Sequence, residues 1–335
     1  MRTTLRDIAE ATGFSVNTVS RAVRDDKRLS EATRSMIKKK AEEMHYIPNA
    51  FARGMRSQSI KTIGVLSADS VNPFFRDVIA GIEERAEELG YQIMIGNSEE
   101  SLEKEKKVLS MFLSHQIDGL LAIPVYSDSA EHSKLYKELA IPYILVGRYL
   151  PDLIDHSLLH EDEKAQMEVF DYLLDNGHEG ILYIQGPDNI SNSKDRIRGM
   201  EKSYEKHGLE VPSNLSFQAS GHIEDGYAIV NHALNKGLGF TAVACFNDLI
   251  AMGVMKSLAE NNLRVPEDVE VFGFDNLAMS QFFNPSLSTV DIPKHALGRR
   301  AVDLLALHIN SEFPYELQEM PSRLVFRDST CRESE

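Results

Sequence analysis

Val16, Asn17, Ser20, Arg21 and Arg24 recur at a spacing that puts them on one face of a helix, at about 100° per residue. That face carries the chemistry of base reading. A guanidinium such as that of Arg21 can donate twice to guanine, the carboxamide of Asn17 can pair with adenine, and Val16 can meet a thymine methyl. Thr4, Thr18 and Ser20 supply hydroxyls suited to phosphate oxygens. Val19 and Ala22 face the other way and form a thin apolar back. Farther on, Met55 is an apolar side chain in the short segment PNAFARGMR. It suits a wedge entering base steps from the minor groove, with Asn49 and Arg53 of that segment as further DNA contacts. Two blander readings fit the same residues: a helical hairpin with a solvated front, and a linker methionine packed on its own head.

Reaction chemistry is harder to find. Eleven histidines are scattered along the chain. His160 and His178 belong to no metal spacing of the HExxH kind. No serine or cysteine sits in a nucleophile elbow, and no glycine-rich turn opens a phosphate cradle. The acidic run Glu99–Glu105 reads as a solvated helix start. Cys245 and Cys331 are too few for a disulfide framework or a cysteine-rich metal site. The expectation is a protein that is not an enzyme and needs no cofactor or metal.

The elements that must position these residues change character near Thr62. Before it, Leu5, Ile8 and Ala9 mark a first helix, Ser15 caps a second through about Val23, and Ser30 caps a third with Ile37, Ala41 and Met44 inside. Pro48 stops helical propagation, and Asn49 then caps a segment too short to be a stable helix alone. From Thr62 on, buried strands (TIGVLS, YQIMIGN, GLLAI, YILVG) alternate with amphipathic helices. The alternation restarts near residue 163 with helix 163–175, strand ILYIQG, helices 195–207 and 225–236, strand TAVACF, helix 248–261 and strand VEVFGF. Helix 294–310 and strand RLVF close the chain. Strands alternating with helices imply parallel sheets covered on both faces. Two such runs imply two doubly wound units with a ligand site at the carboxyl ends of their strands.

Charge divides the chain at the same place. The 335 residues carry 36 Lys+Arg and 51 Asp+Glu, a net charge of −15. Residues 1–61 hold 13 basic and 7 acidic residues, the remainder 23 and 44. A basic head on an acidic body suits an anionic partner for the head alone. No apolar run approaches the ~20 residues of a membrane span, and MRTTLRDIAE has no signal-peptide core. The simplest expected setting is the cytoplasm, with no membrane partner.

The chain resembles the lactose-repressor (LacI/GalR) family of bacterial transcription regulators. TLRDIAEATGFSVNTVSRAV is similar to the family's DNA-binding signature, and SEATRSMIKKKAEEMHYIPNAFARGMR to its third helix and hinge. SADSVNPFF, QIDGLLAIP, NGHEGILYIQGP, FNDLIAMGVMKSL, VPEDVEVFGFDN and NPSLSTVDIP follow in the family's order. So many blocks in sequence are specific where a lone helix-turn-helix is not. The resemblance implies an α/β fold: an all-α helix-turn-helix head (1–47), a hinge segment (48–61) and a periplasmic-binding-protein-like body (62–335). The body has two doubly wound parallel-sheet subdomains, one of about 62–161 and 292–322, the other of about 162–291 and 323–335.

The resemblance also assigns roles. Val16 and Asn17 sit where the family varies its operator-reading residues, Arg21 at its common arginine base contact, and Met55 at the intercalating leucine. Asp275, in GFDN, matches the cleft aspartate that accepts from ligand. Arg196, in RIRG, matches the cleft arginine that donates to it, and Asn247, in FND, a further polar contact. Phe74 and Phe75 fall at the cleft edge, where an aromatic face stacks on a sugar or a base. Arg148 marks another cleft position. Core packing competes with ligand contact for Phe75, a salt bridge does so for Arg148, and a turn role does so for Asp275.

Departures limit the likeness. Arg148 follows Gly147 where many relatives have aspartate. Ile190 stands near the arginine with which purine-responsive members hold their corepressor. There is no tryptophan, and the tail after Arg323 lacks the leucine heptad of tetrameric members. The expectation is a dimeric repressor controlled by a small ligand, a sugar by preference. Its alternative is a corepressor type responding to a purine or another metabolite. A sugar-binding module whose head contacts protein is the reading from a different class.

Overall fold

The computed structural model describes residues 3–46, 59–125 and 130–331, and the chain divides into two compact units at Ile60/Lys61. The first unit is built by its caps. Thr4 starts α1 (Leu5–Thr12): its hydroxyl accepts from the Asp7 N–H while the Asp7 carboxylate accepts from the Thr4 N–H. Gly13 ends α1 at φ +75, a left-handed conformation that glycine adopts without steric cost. Ser15 and Ser30 accept the third backbone N–H of α2 (Val16–Val23) and α3 (Glu31–Glu43). The three helices close over Ile8, Val19, Ala22 and Ile37, none of which is exposed at all.

The second unit holds two parallel sheets. In the first, the strands run in the order β11 (Gln318–Met320), β5 (Ser157–His160), β4 (Tyr143–Val146), β3 (Gly119–Ala122), β1 (Thr62–Ser67) and β2 (Gln92–Asn97). The second sheet runs β7 (Ser216–Gln218), β6 (Ile181–Gln185), β8 (Ala242–Cys245) and β9 (Glu270–Phe272). The chain leaves the first sheet after His160, returns near Asp291, and crosses again after Met320. There β12 (Arg323–Val325) pairs antiparallel with β10 (Thr289–Asp291). Three crossings join the two subdomains into one compact body rather than two independent domains.

The helices of the body are α4 (Pro73–Glu88), α5 (Leu102–Ser114), α6 (Ala130–Lys137), α7 (Asp162–Asp175), α8 (Ser191–Lys206), α9 (Ile223–Asn235), α10 (Asp248–Glu260) and α11 (Lys294–Ile309). Three pairs of them pack backbone to backbone through glycine. A β-carbon on Gly298 of α11 would lie 2.0 Å from the Val78 carbonyl oxygen of α4, and one on Gly81 would lie 2.0 Å from the His295 carbonyl. Gly253 and Gly226 serve α9 and α10 in the same way, and Gly199 serves α7 and α8. Gly298→Ala gains about 1 kcal/mol of helix propensity but forces the pair apart. Overpacking of this kind costs about 1–3 kcal/mol, so we expect a net loss of up to about 2 kcal/mol, read as a lower urea midpoint. A midpoint at or above the parent's would show that the helices separate freely.

The sequence reading misses some elements and misplaces others. Helix 195–207 begins at Ser191 instead, because the polar run SNSKD faces a cleft rather than a loop surface: Ser191, Ser193 and Arg196 are all buried. Helix 225–236 is Ile223–Asn235. Strands β5, β7, β10 and β11 and helix α6 are additions. Four of these are three- or four-residue strands, too short for a hydrophobic period to register.

Candidate functional site

The C-terminal ends of the strands and the N-termini of the helices that follow enclose one cleft between the two sheets. The free volume within it is about 80 Å³, below the range of sites that hold a small molecule. Phe74, Phe75, Arg148, Arg196, Asn247 and Asp275 all line it. The sequence reading thus places six residues from five elements in one site, although 201 positions separate the first from the last.

Each position has a local cause. Asn72 caps α4 by accepting from the Phe74 N–H at 3.0 Å, which sets both phenylalanines on the first turn. Their rings meet edge to face at 5.3 Å, and Phe74 also meets His160 edgewise at 6.1 Å. Phe74 and Phe75 both belong to the hydrophobic core as well as to the cleft wall.

Arg196 is 2% exposed, and two of its three guanidinium nitrogens are engaged by the protein. Its Nε donates to Asp162 at 2.7 Å and its Nη1 to the Phe246 carbonyl. Its guanidinium stacks between the Phe246 and Phe274 rings, 4.5 and 3.5 Å from their centroids. Burial pushes the Asp162 carboxyl up, but His160 and Arg196 beside it outweigh that and hold it below the ordinary range. The remaining nitrogen, Nη2, lies 3.9 Å from Asp275 Oδ1.

Asp275 is the exceptional group. Its backbone sits at φ +107, a conformation that costs energy in any residue but glycine and marks functional sites. The strain is held from outside: the Asp275 N–H donates to the Val290 carbonyl, and buried Lys294 donates to the carbonyls of Asp275, Asn276 and Ile292. Asp248 fixes the turn that follows, accepting from the Leu277 N–H and from Ser280 and Thr289. Burial raises Asp248 to about 6. Burial also pushes Asp275 up to about 8, with Arg196 opposing and Asp248 adding. A carboxylate so placed is short of donors, and a ligand can supply them.

Two of the cleft residues also carry structural bonds. Arg148 forms a bidentate pair with Glu100 at 2.8 and 2.9 Å and donates to the Pro124 carbonyl, so the salt-bridge reading holds. Its Nε remains buried with no hydrogen-bond partner among the described residues. Asn247 spends its amide on structure. Its Oδ1 caps α10 through the Ile250 N–H and its Nδ2 donates to the Gly221 carbonyl, so it shapes the cleft wall more than it reaches into it.

Sequence reasoning misses His160, Phe246, His222 and Glu100, which also line the cleft. The available signal is positional. His160 and Phe246 stand at or just past the end of a strand, where such folds build sites, but β5 is too short to be read. Glu100 is carried in by two successive left-handed residues, Glu99 and Glu100, at φ +48 and +53. Nothing in the local sequence announces that.

In the head, Val16 and Asn17 are exposed and Arg21 is partly exposed, on the side of α2 opposite Val19 and Ala22. The three hydroxyls are less free than expected. Thr4 donates to Asp7, Thr18 pairs with Ser15, and Ser20 accepts from Arg24. Asn49, Arg53 and Met55 lie outside the described residues. Among the described residues no group of three metal-ligating side chains exists, and no helix is long and apolar enough to cross a membrane.

Comparison with known proteins gives the same division. Residues 4–49 match the family profile described as "Bacterial regulatory proteins, lacI family", and residues 60–323 match "Periplasmic binding proteins and sugar binding domain of LacI family". The chain is 32% identical over 331 residues to the HTH-type transcriptional repressor PurR of Salmonella arizonae, covering 98% of this chain and 97% of that one. It is 30% identical over 335 residues to its namesake in Aliivibrio fischeri, covering 97% and 98%. Among solved structures, a lac repressor dimer bound to operator and the anti-inducer ONPF superposes with a TM-score of 0.89 at 26% identity, over 99% of this chain and 100% of that one. The transcription regulator CcpA of Lactococcus lactis gives 0.74 at 27% identity, over 81% and 99%.

Proposed function

The chain belongs to the lacI family of bacterial regulatory proteins and is a ligand-controlled, DNA-binding transcriptional repressor rather than an enzyme; from that premise we propose that its ligand is a sugar held on Asp275. The observation that carries this reading is a buried carboxylate, in an aromatic-walled cleft, that accepts no hydrogen bond among the described residues and has only Arg196 Nη2, at 3.9 Å, beside it. Two adjacent hydroxyls satisfy a carboxylate as a pair, and the Phe74 ring suits the apolar face of a sugar. The free Nε of Arg148 and the Nη2 of Arg196 offer donors to further ring oxygens. The alternative is a purine acting as corepressor. Less favourable to it is Ile190, buried and apolar at the cleft, near the place where the family resemblance puts the arginine of purine-responsive members.

Control follows from closure. Tyr149, after β4, donates its O–H to Asp195 and its N–H to the Ser191 hydroxyl, both on α8 of the other subdomain. A ligand that bridges the subdomains favours one degree of closure over another, and only that difference in affinity can shift the population. We take the active form to be a homodimer in the cytoplasm, each head reading one half of a pseudo-palindromic operator through Val16, Asn17 and Arg21. Phe282, 81% exposed with Met279 beside it, supports a second copy covering that surface.

A thermal-shift screen of the full chain against sugars, sugar phosphates and nucleobases tests the ligand. A compound at a hundred times its Kd adds about 2.7 kcal/mol to the unit that binds it. A neutral sugar that raises the midpoint by a few degrees is the expected result. A nucleobase that does so while sugars fail would replace the sugar by the corepressor reading.

A further inference from the structure

The front of α2 ends in a polar groove that Arg21 alone does not explain. Asn17, Arg21, Arg24, Asp26 and Arg28 line it. Three guanidiniums in one groove repel each other, and a single carboxylate stands among them. Asp26 accepts from the Arg28 side chain at 2.7 and 3.0 Å and from the Arg28 N–H at 3.1 Å. Asp26 Oδ2, which takes the 2.7 Å bond, also lies 3.8 Å from Arg21 Nε, within ion-pair reach. The backbone aims it there. Asp25 is left-handed at φ +60, and the Asp26 N–H returns to the Arg21 carbonyl at 3.1 Å. The Asp26 side chain is 18% exposed, Arg21 39% and Arg28 74%. Arg24 is tied elsewhere, to the Ser20 carbonyl and hydroxyl.

We propose that Asp26 is a positioning residue for base reading: it holds Arg21 in one orientation for a base edge and clamps Arg28 beside it to meet a phosphate. The inference rests on Arg21 being a base contact. A guanidinium held before binding loses less freedom on binding, so correct sequence gains. The carboxylate also repels phosphate wherever the arginine finds no base partner, so incorrect sequence loses. Asp26 therefore raises discrimination while lowering affinity for DNA in general.

The test uses the full-length protein, a duplex selected from a randomised library, and a shuffled duplex of equal length and composition. Asp26→Asn keeps the shape and the acceptor for the Arg28 N–H. Expected is tighter binding to shuffled duplex, equal or weaker binding to the selected one, and a ratio reduced about tenfold, in the range of one lost bidentate base contact. The lost preference should fall at the base pair that Arg21→Lys relaxes, and Asp26→Glu should restore part of the ratio. If both affinities rise equally, Asp26 only repels phosphate and positioning is wrong. If both fall equally with a lower unfolding midpoint, its role is structural and positioning is again wrong. An Arg21→Lys variant that keeps the parental ratio, or a selection that returns no sequence, removes the base-contact premise itself.

Discussion

Asp275→Asn is expected to abolish the response to ligand while making the protein more stable. The two effects share one cause. Burial pushes the Asp275 carboxyl up to about 8, far above the value of about 3.9 for an unfolded aspartate. Between those values the folded chain holds a proton that the unfolded chain has released. Stability therefore falls as pH rises through this window and levels off above about 8. At about 1.4 kcal/mol per pH unit, the penalty at neutral pH is several kcal/mol, and an uncharged amide of the same shape removes it. Urea unfolding from pH 4 to 8 should show a flatter pH dependence and a higher midpoint for the variant at pH 7. A parent whose stability rises with pH across that range would refute the argument.

Ligand inverts the sign. Sugar hydroxyls donating to Asp275 favour its ionised form, so binding at pH 7 should release a proton and tighten toward pH 8. Calorimetry in two buffers of different ionisation heat reads that proton directly. Proton uptake would mean that the ligand meets the neutral acid, and the carboxylate–hydroxyl pairing would have to be abandoned.

Arg196→Met should be the most damaging single change in the body. It leaves Asp162 buried at 4% exposure without its guanidinium, deprives the Phe246 carbonyl of a donor, and empties the space between two aromatic rings. Breaking a buried pair from one side costs about 3–5 kcal/mol, a fall in thermal midpoint on the order of 10 °C for a body of this size. Pairing it with Asp162→Asn removes the orphaned charge and should recover part of the loss. A double variant no more stable than Arg196→Met would show that packing between Phe246 and Phe274, not charge, holds this corner of the cleft.

The two variants separate roles that the cleft combines. Asp275 is costly to stability and, on the proposed reading, is the group that meets the ligand. Arg196 is costly to remove and has one nitrogen, Nη2, left over from its bonds to Asp162 and Phe246. Arg148 and Asn247 fall between, each spending most of its hydrogen-bonding capacity on the protein. A cleft built this way is stiff where it is structural and unsatisfied at one carboxylate.

What the sequence determined by itself is whatever local periodicity, capping and motif order encode. Ser15 and Ser30 cap their helices, Val19 and Ala22 form the back of α2, and strands alternate with helices through the body. The order of the sequence blocks was enough to bring Phe74, Arg196 and Asp275 to one cleft, because strand ends in this fold converge. What only the tertiary structure decided is which polar atoms remain free there. Hydrogen-bond partners such as Glu100 for Arg148, Gly221 for Asn247 and Asp162 for Arg196 lie 48, 26 and 34 residues away. Short strands such as β5 exist because neighbours pair with them, and the left-handed backbone at Asp275 persists because Val290 and Lys294 hold it from other segments. A residue's type is a local fact, whereas its unspent hydrogen bonds depend on what the folded chain brings beside it.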